Sequence, residues 1–267
     1  MKLNSIHQEA IKLVKEVGEF IRAESKNFNT DQVEHKGFND LVSYVDKEAE
    51  KRLVLGLGEI LPESGFIAEE GTSNKKGAEY NWIIDPLDGT TNFVHGLPVF
   101  SISVALQQND EIVSGIVLEI NRDECFEAVK GESSKLNGKF ISVSKNIDLS
   151  QSLIATGFPY NDFEKMDDYL EILKHLMKNS HGLRRFGSAA VDLAYVACGR
   201  YEAYFEYNLN AWDVAAGAFI VQQAGGKVSR FNGDNDYIFG REIVSCSPDV
   251  YKELLTILQN RWKNNLN

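Results

Sequence analysis

The residues of this chain best suited to chemistry are acids at the ends of expected strands and helices. They are Glu69, Asp85, Asp88 and Asp213, with Asp46 and Glu206 as candidate additions. The densest group sits in Trp82-Ile83-Ile84-Asp85-Pro86-Leu87-Asp88-Gly89-Thr90-Thr91-Asn92-Phe93. The apolar run from Trp82 to Ile84 predicts a short buried strand, and Asp85 and Asp88 straddle the change of direction at its end. Pro86 fixes its own φ and biases Asp85 towards extended backbone. Gly89 lets the chain pass close by, and Asp88 or Thr90 is placed to cap a following helix. Two hard oxygen donors at so rigid a corner suit Mg²⁺ or Mn²⁺ better than zinc, which favours Cys and His. Taken alone, the stretch is explained equally well by an Asp-rich turn with both acids solvated. Taken together, four ionised carboxylates within a few ångströms would raise one another's pKa, so their convergence makes sense around cations. Two divalent ions about 3.5–4 Å apart orient an attacking water and stabilise a leaving oxygen. They also neutralise the field that would repel a phosphate.

The elements that must position these acids alternate along the chain. Ile6, Ala10, Leu13, Val14, Val17, Phe20 and Ile21 recur at three- and four-residue steps and predict a helix over 5–26, with Ser5 and Gln8 as its capping box. Residues 27–39 read as a polar, exposed loop. A second helix is expected over 42–57, with Asp46 beside its apolar stripe, and a strand over 65–68 runs into Glu69-Glu70-Gly71. Strands over 100–107, 112–120 and 124–130 form an antiparallel meander, followed by a turn-rich connection over 131–138. Beyond it come a strand over 152–157, a helix over 167–177, a short strand over 183–186 and a helix over 188–198. A strand over 201–207 then ends near Glu206, and Asn210-Ala211-Trp212-Asp213 opens a helix through Ala224 that Gly225-Gly226 stops. Val228 and 243–246 are short strands, and 249–262 is a closing helix. This mixture predicts an α/β (mixed α+β) chain of stacked helix and sheet layers. It reads as one domain over 1–267, with possible subdomains 1–140 and 141–267 sharing a cleft.

The chain has 267 residues, 43% hydrophobic and 25% charged, with five prolines, which is ordinary for a soluble globular protein and argues against disorder. A formal charge of −11 disfavours a broad nucleic-acid-binding face. Three distant cysteines, Cys125, Cys198 and Cys246, read as reduced thiols of a cytoplasmic protein. Nothing approaches ~18 uninterrupted apolar residues, so no membrane span is expected. His175 and His181 lack metal-ligand spacing with a third partner, and His95, a candidate general acid by its place after the core motif, reads as a structural or rim histidine.

Phe66-Ile67-Ala68-Glu69-Glu70-Gly71, the stretch from Trp82 to Phe93, and Ala211-Trp212-Asp213-Val214-Ala215-Ala216-Gly217 resemble the three signatures of the inositol monophosphatase family. Lys36-Gly37, Asp40-Leu41-Val42-Ser43 with Val45-Asp46, and Arg185 with Gly187-Ser188-Ala189-Ala190 add supporting matches. The resemblance is close over 36–226. Ser43 stands where the family often has threonine, and 131–138 lacks a glycine and an alanine of the family's turn.

The resemblance implies a layered αβαβα sandwich of the inositol monophosphatase/sugar phosphatase type, and a Mg²⁺-dependent, lithium-sensitive phosphomonoesterase with two or three metals per subunit. Glu69, Asp85 and the Leu87 carbonyl would hold the first metal, and Asp85, Asp88 and Asp213 the second. A third, weaker metal would lean on Glu69. Glu69 and Thr90 would activate the water, with Asp46 orienting Thr90. The metals and the amides of Gly89 and Thr90 would contact the phosphate, and Ala189, Glu206 and Asp213 the polyol or sugar. Lys36 is implied to sit on a mobile loop closing over the metals. Arg185 either touches substrate or salt-bridges within the fold. With no cysteine or histidine at these positions, a covalent phospho-enzyme is not expected.

Total length and the spacing from Tyr204-Phe205-Glu206 to Trp212-Asp213 resemble the inositol-1-phosphate branch of the family, which implies myo-inositol 1-phosphate as substrate, with Glu206 suited to a polyol hydroxyl. Fructose 1,6-bisphosphate, 3′-phosphoadenosine 5′-phosphate, histidinol phosphate and NADP, on which other members of the family act, are alternatives with the same chemistry; a stacking surface or basic pocket for a nucleotide is not located. A regulatory scaffold that binds metal without turnover is the reading of a different kind. The resemblance further implies a homodimer acting on a small phosphorylated polyol or sugar; from the charge and the lack of a long apolar run, no nucleic-acid or membrane partner is expected.

Overall fold

The computed structural model describes residues 3–28, 33–37, 40–73, 75–159 and 162–262, the side chains of 33–37, 40 and 41 excepted. In chain order the elements are α1 (Leu3–Ser25), β1 (Val33–Gly37), β2 (Asp40–Ser43), α2 (Tyr44–Ile60), β3 (Gly65–Ala68), β4 (Tyr80–Asp88) and α3 (Thr90–Val94). Then follow β5 (Ser101–Gln108), β6 (Glu111–Glu119), β7 (Glu124–Val129), β8 (Lys135–Leu136), β9 (Lys139–Phe140), β10 (Leu153–Thr156) and α4 (Met166–Asn179). The chain continues as β11 (Gly182–Arg184), α5 (Ala189–Ala197), β12 (Ala203–Tyr207), α6 (Ala211–Gln223), β13 (Lys227–Ser229), β14 (Glu242–Cys246) and α7 (Pro248–Arg261).

One sheet of seven strands runs in simple order from β3 to β9, with only the β3–β4 pair parallel. The second has the order β11-β10-β12-β14-β13, with β10 parallel to both neighbours. The layers follow from which faces are apolar. The stripes Ala10, Val14, Val17 and Ile21 on α1 and Val45, Ala49, Leu53 and Leu57 on α2 bury against Trp82, Ile84, Ile102 and Ile116 of the first sheet. The small, apolar helices α5 and α6 fill the space between the sheets, touching Ile83, Ala105 and Val117 on one side and Tyr204 and Ile243 on the other. On the outside, α4 and α7 cover Phe205, Val244 and Cys246. This is the expected αβαβα arrangement. No helix among the described residues is long and apolar enough to cross a membrane.

Four local expectations are corrected. Part of the supposed 27–39 loop is strand β1, which pairs antiparallel with β2, His35 opposite Leu41. A polar segment forms a hairpin arm once a partner strand offers its backbone groups. Lys36 lies in that strand, and its side chain is outside the described residues. Helix α1 begins at Leu3, so Ser5 lies inside it and its hydroxyl meets Glu9 rather than capping. Helix α3 is preceded by Gly89 at φ 97°, so neither Asp88 nor Thr90 caps it. The 131–138 connection contains β8, which pairs with both β7 and β9.

Candidate active site

The site begins with an irregularity in β4. Asp85 pairs with Ser103 and Asp88 with Ser101, so Pro86 and Leu87 have a single residue opposite them on β5. Such a bulge bends the strand and re-aims its side chains, and Pro86 forgoes a ladder hydrogen bond that the bulge does not need. The Asp85 carboxylate accepts the Leu87 amide at 3.0 Å, closing the corner. Gly89 is required next: a Cβ there would stand 3.1 Å from the Val99 carbonyl and 3.2 Å from that of Gly187, at a φ that disfavours side chains.

The corner opens onto a cavity of about 280 Å³ whose lining includes Glu69, Asp85, Leu87, Asp88, Glu206 and Asp213. Gly89, Thr90, Arg185 and Ala189 line it too, so one cleft gathers acids from β3's end, β4, β12 and α6. Asp46 stands behind it, buried in α2, and accepts the Thr90 hydroxyl at 2.9 Å. Its other oxygen accepts the Ser43 amide at 2.9 Å and the Ser43 hydroxyl at 2.6 Å. With its proton directed at Asp46 and the Leu87 carbonyl, 3.0 Å away, Thr90 keeps oxygen lone pairs for a water. Asp88 Oδ2 accepts the Ser188 hydroxyl at 2.6 Å and the Ala190 amide at 2.8 Å at the start of α5. Asp213 accepts the Asn210 amide at 2.6 Å in the first turn of α6. Asp88 and Asp213 are each held through Oδ2 and the backbone at a helix start.

Electrostatics make this cluster expensive. Asp85 is buried and its pKa lies well above the usual carboxylate range, first because of that burial and then through Glu69, Asp88 and Asp213. Asp213 and Asp88 keep an edge open to the cleft, yet enclosure is still the largest cause of their shifts. Asp213 is pushed up to about 8, with Asp88 the next cause. Asp88 is pushed up only to about 6, because Ser188, the α5 amides and Arg185 oppose the shift. A carboxyl–carboxyl hydrogen bond between Glu69 and Asp85 adds to the burden.

Among the described residues no three Asp, Glu, His or Cys side chains already close on one ion. The donors share a wall and a field rather than a finished chelate. All are hard oxygens, and among the described residues no Cys or His lines the cavity. The set therefore fits Mg²⁺ by donor chemistry, and a cation would relieve the repulsion that raises these pKa values.

The far side of the cleft holds the expected Glu206 together with groups that motif reading missed. Glu206 accepts the Tyr204 hydroxyl at 2.6 Å and is pushed up to about 7, chiefly by burial. Its carboxylate lies flat on Gly157, where a Cβ would come within 1.9 Å of Oε2. Phe158, 46% exposed, lines the mouth with the Arg185 guanidinium 5.7 Å from its ring centre. Arg241 lines it as well, donating to Asn208 Oδ1 and Asn210 Oδ1. Glu206 and Arg185 were already candidates, whereas Gly157, Phe158, Asn208 and Arg241 stand outside the motifs, and of their neighbours only Asn210, three residues before Asp213, offered a signal, as the opening of a helix.

The comparisons agree over nearly the whole length. A relative from Neisseria meningitidis serogroup B, "Putative Nus factor SuhB", is 41% identical over 257 residues, covering 96% of this chain and 98% of its own. The crystal structure of extragenic suppressor protein suhB from Bartonella henselae superposes with a TM-score of 0.91 at 35% identity, covering 96% of this chain and 98% of that one. The inositol monophosphatase of Anabaena (Nostoc) gives 0.87 at 31% identity, covering 98% of both. The model of the inositol monophosphatase family matches residues 2–264, and this chain belongs to that family.

Proposed function

We propose that this protein hydrolyses a small phosphate monoester with Mg²⁺, most readily myo-inositol 1-phosphate. The observation that supports this most is the gathering of Glu69, Asp85, Asp88 and Asp213 around a Thr90 hydroxyl already oriented by Asp46. Glu69, Asp85, the Leu87 carbonyl, Asp88 and Asp213 would hold two cations, with a third, weaker one at Glu69. When bound, the metal supplies charge stabilisation for the phosphoryl oxygens and a more acidic water.

The chain's own residues do the rest. Thr90 and Glu69 hold the attacking water, Glu69 taking its proton, while Asp46 keeps the Thr90 hydroxyl from turning away. The amides of Gly89 and Thr90 face the phosphate. Glu206 and Asp213 accept the hydroxyls of a polyol, and a ligand without hydroxyls would leave those buried acceptors unmet. A water O–P bond forms as the ester O–P bond breaks, the released alkoxide takes a proton from solvent water to become the alcohol, and Glu69 returns its proton to solvent.

Fructose 1,6-bisphosphate, 3′-phosphoadenosine 5′-phosphate and histidinol phosphate remain competitors on the same chemistry. Phosphate release across that panel, with and without Mg²⁺ and with added Li⁺, ranks them. Asp88→Asn is expected to lower turnover at least ~100-fold with the fold intact, and undiminished release would refute its place among the ligands.

A second reading has a specific support: the relative at 41% identity is named a putative Nus factor. On that reading the chain is a metal-binding scaffold that works through protein contacts. Mg²⁺ binding without phosphate release from any panel member would favour it. We place the protein in the cytoplasm, in keeping with its free cysteines, as a homodimer without nucleic-acid or membrane partners. Light scattering at twice the chain mass checks the dimer.

A further inference from the structure

The acid that holds the Glu69 turn lies outside the cleft. Glu50 sits on α2, one turn beyond Asp46, and is fully buried. Its Oε2 accepts the Glu70 amide at 2.7 Å and its Oε1 the Thr72 amide at 2.7 Å. Those two amides belong to the turn after β3 that carries Glu69, which the Gly71 amide closes onto the Ala68 carbonyl at 3.3 Å. Asp46 and Glu50, four residues apart, share one face of the helix. From that face Asp46 reaches Thr90 and Glu50 reaches the backbone on either side of Gly71.

We propose that Glu50 is a positioning residue for the reaction. Helix α2 acts as a single strut that fixes Glu69 relative to Thr90, the two groups assigned to the attacking water. The inference rests on reading the cleft as a metal-dependent phosphatase. A carboxylate is the side chain that this role needs, because both groups it meets are donors and both of its oxygens accept. Glutamine keeps the length but turns an NH₂ towards one of those N–H groups. Aspartate keeps both acceptors on a side chain one methylene shorter, which cannot reach the turn from the same helix position.

The test uses the full chain carrying Glu50→Gln or Glu50→Asp, each checked for folding by circular dichroism. Mg²⁺ affinity is measured by titration calorimetry without substrate, alongside kcat and KM at saturating Mg²⁺. Leu53→Ala, a fully buried core residue one turn further along α2, controls for loss of stability alone. The expected result is a 10–100-fold loss of Mg²⁺ affinity and a comparable fall in kcat for both Glu50 variants, with KM changed less than threefold. Leu53→Ala should melt earlier and keep its Mg²⁺ affinity. Glu50 variants that melt earlier but bind Mg²⁺ and turn over like wild type would overturn the positioning role alone. Wild-type protein that neither binds Mg²⁺ nor releases phosphate would overturn the phosphatase reading, and the role of Glu50 with it.

Discussion

Glu206 shows how a single carboxyl can be tuned by its surroundings. Burial raises its pKa from 4.5 to about 7, against the Tyr204 hydrogen bond and the Arg185 charge, which lower it. The stabilisation tied to its proton is therefore complete below about 4.5 and is lost as pH rises through about 7. Glu206→Gln should flatten that part of the pH–stability profile by on the order of 3 kcal/mol. Urea melts of both proteins between those pH values give the difference, and parallel profiles would show that Glu206 is not the titrating group. The neighbouring glycine makes a separate prediction. Gly157→Ala inserts a methyl group where the Glu206 carboxylate now lies, so that carboxylate must swing away. KM for inositol 1-phosphate should rise about 10-fold, while turnover of p-nitrophenyl phosphate, which has no polyol hydroxyls, should hardly change. An equal loss on both substrates would mean the change had spread to the metal side.

At the scale of elements, the acids of the cleft also help to build the helices that present them. Asp46 and Asp213 each bond the backbone at the start of their own helix, and Asp88 bonds the start of α5. Ser188 joins the two tasks, because its hydroxyl caps α5 through the Val191 amide and donates to Asp88. Ser188→Ala should thus lower stability by about 1 kcal/mol and weaken Mg²⁺ binding as well. A stability loss with unchanged Mg²⁺ affinity would separate the two tasks. Elements with a clear burial period could be read from the residues alone: α1, α2, the β5–β6–β7 meander, α5 and α6 all lie within a few residues of their expected bounds. Strand β1 could not, since its polar residues carry no alternation and only its partner β2 reveals it. Helix α3 is too short to show a period, and its left-handed Gly89 replaces the expected side-chain cap. Glu69 and Asp85 were legible because each ends an apolar run, and Asp46 and Asp213 because each sits in the first turn of a periodic helix. Gly157, Phe158 and Arg241 were not, because chain topology rather than any local pattern brings them to the cleft.

For the molecule as a whole, the acidic cleft is assembled from both sheets, and α5 and α6 lie between them sharing one core. We propose that 1–267 is a single domain. It should unfold in one calorimetric transition, with calorimetric and van't Hoff enthalpies equal, whereas two resolved transitions would separate the halves near residue 140. Mg²⁺ should raise that Tm, since a ligand that binds only the folded state stabilises it. The net charge of −11 strengthens this expectation, because the cations enter a region where the chain repels itself. The most direct measurement is anomalous diffraction from crystals soaked in Mn²⁺. The account predicts peaks within coordination distance of Asp85 shared with Asp88 and Asp213 on one side and with Glu69 on the other. Mn²⁺ bound only elsewhere, with Asp213 still turned to the Asn210 amide and no peak beside Asp85, would contradict it.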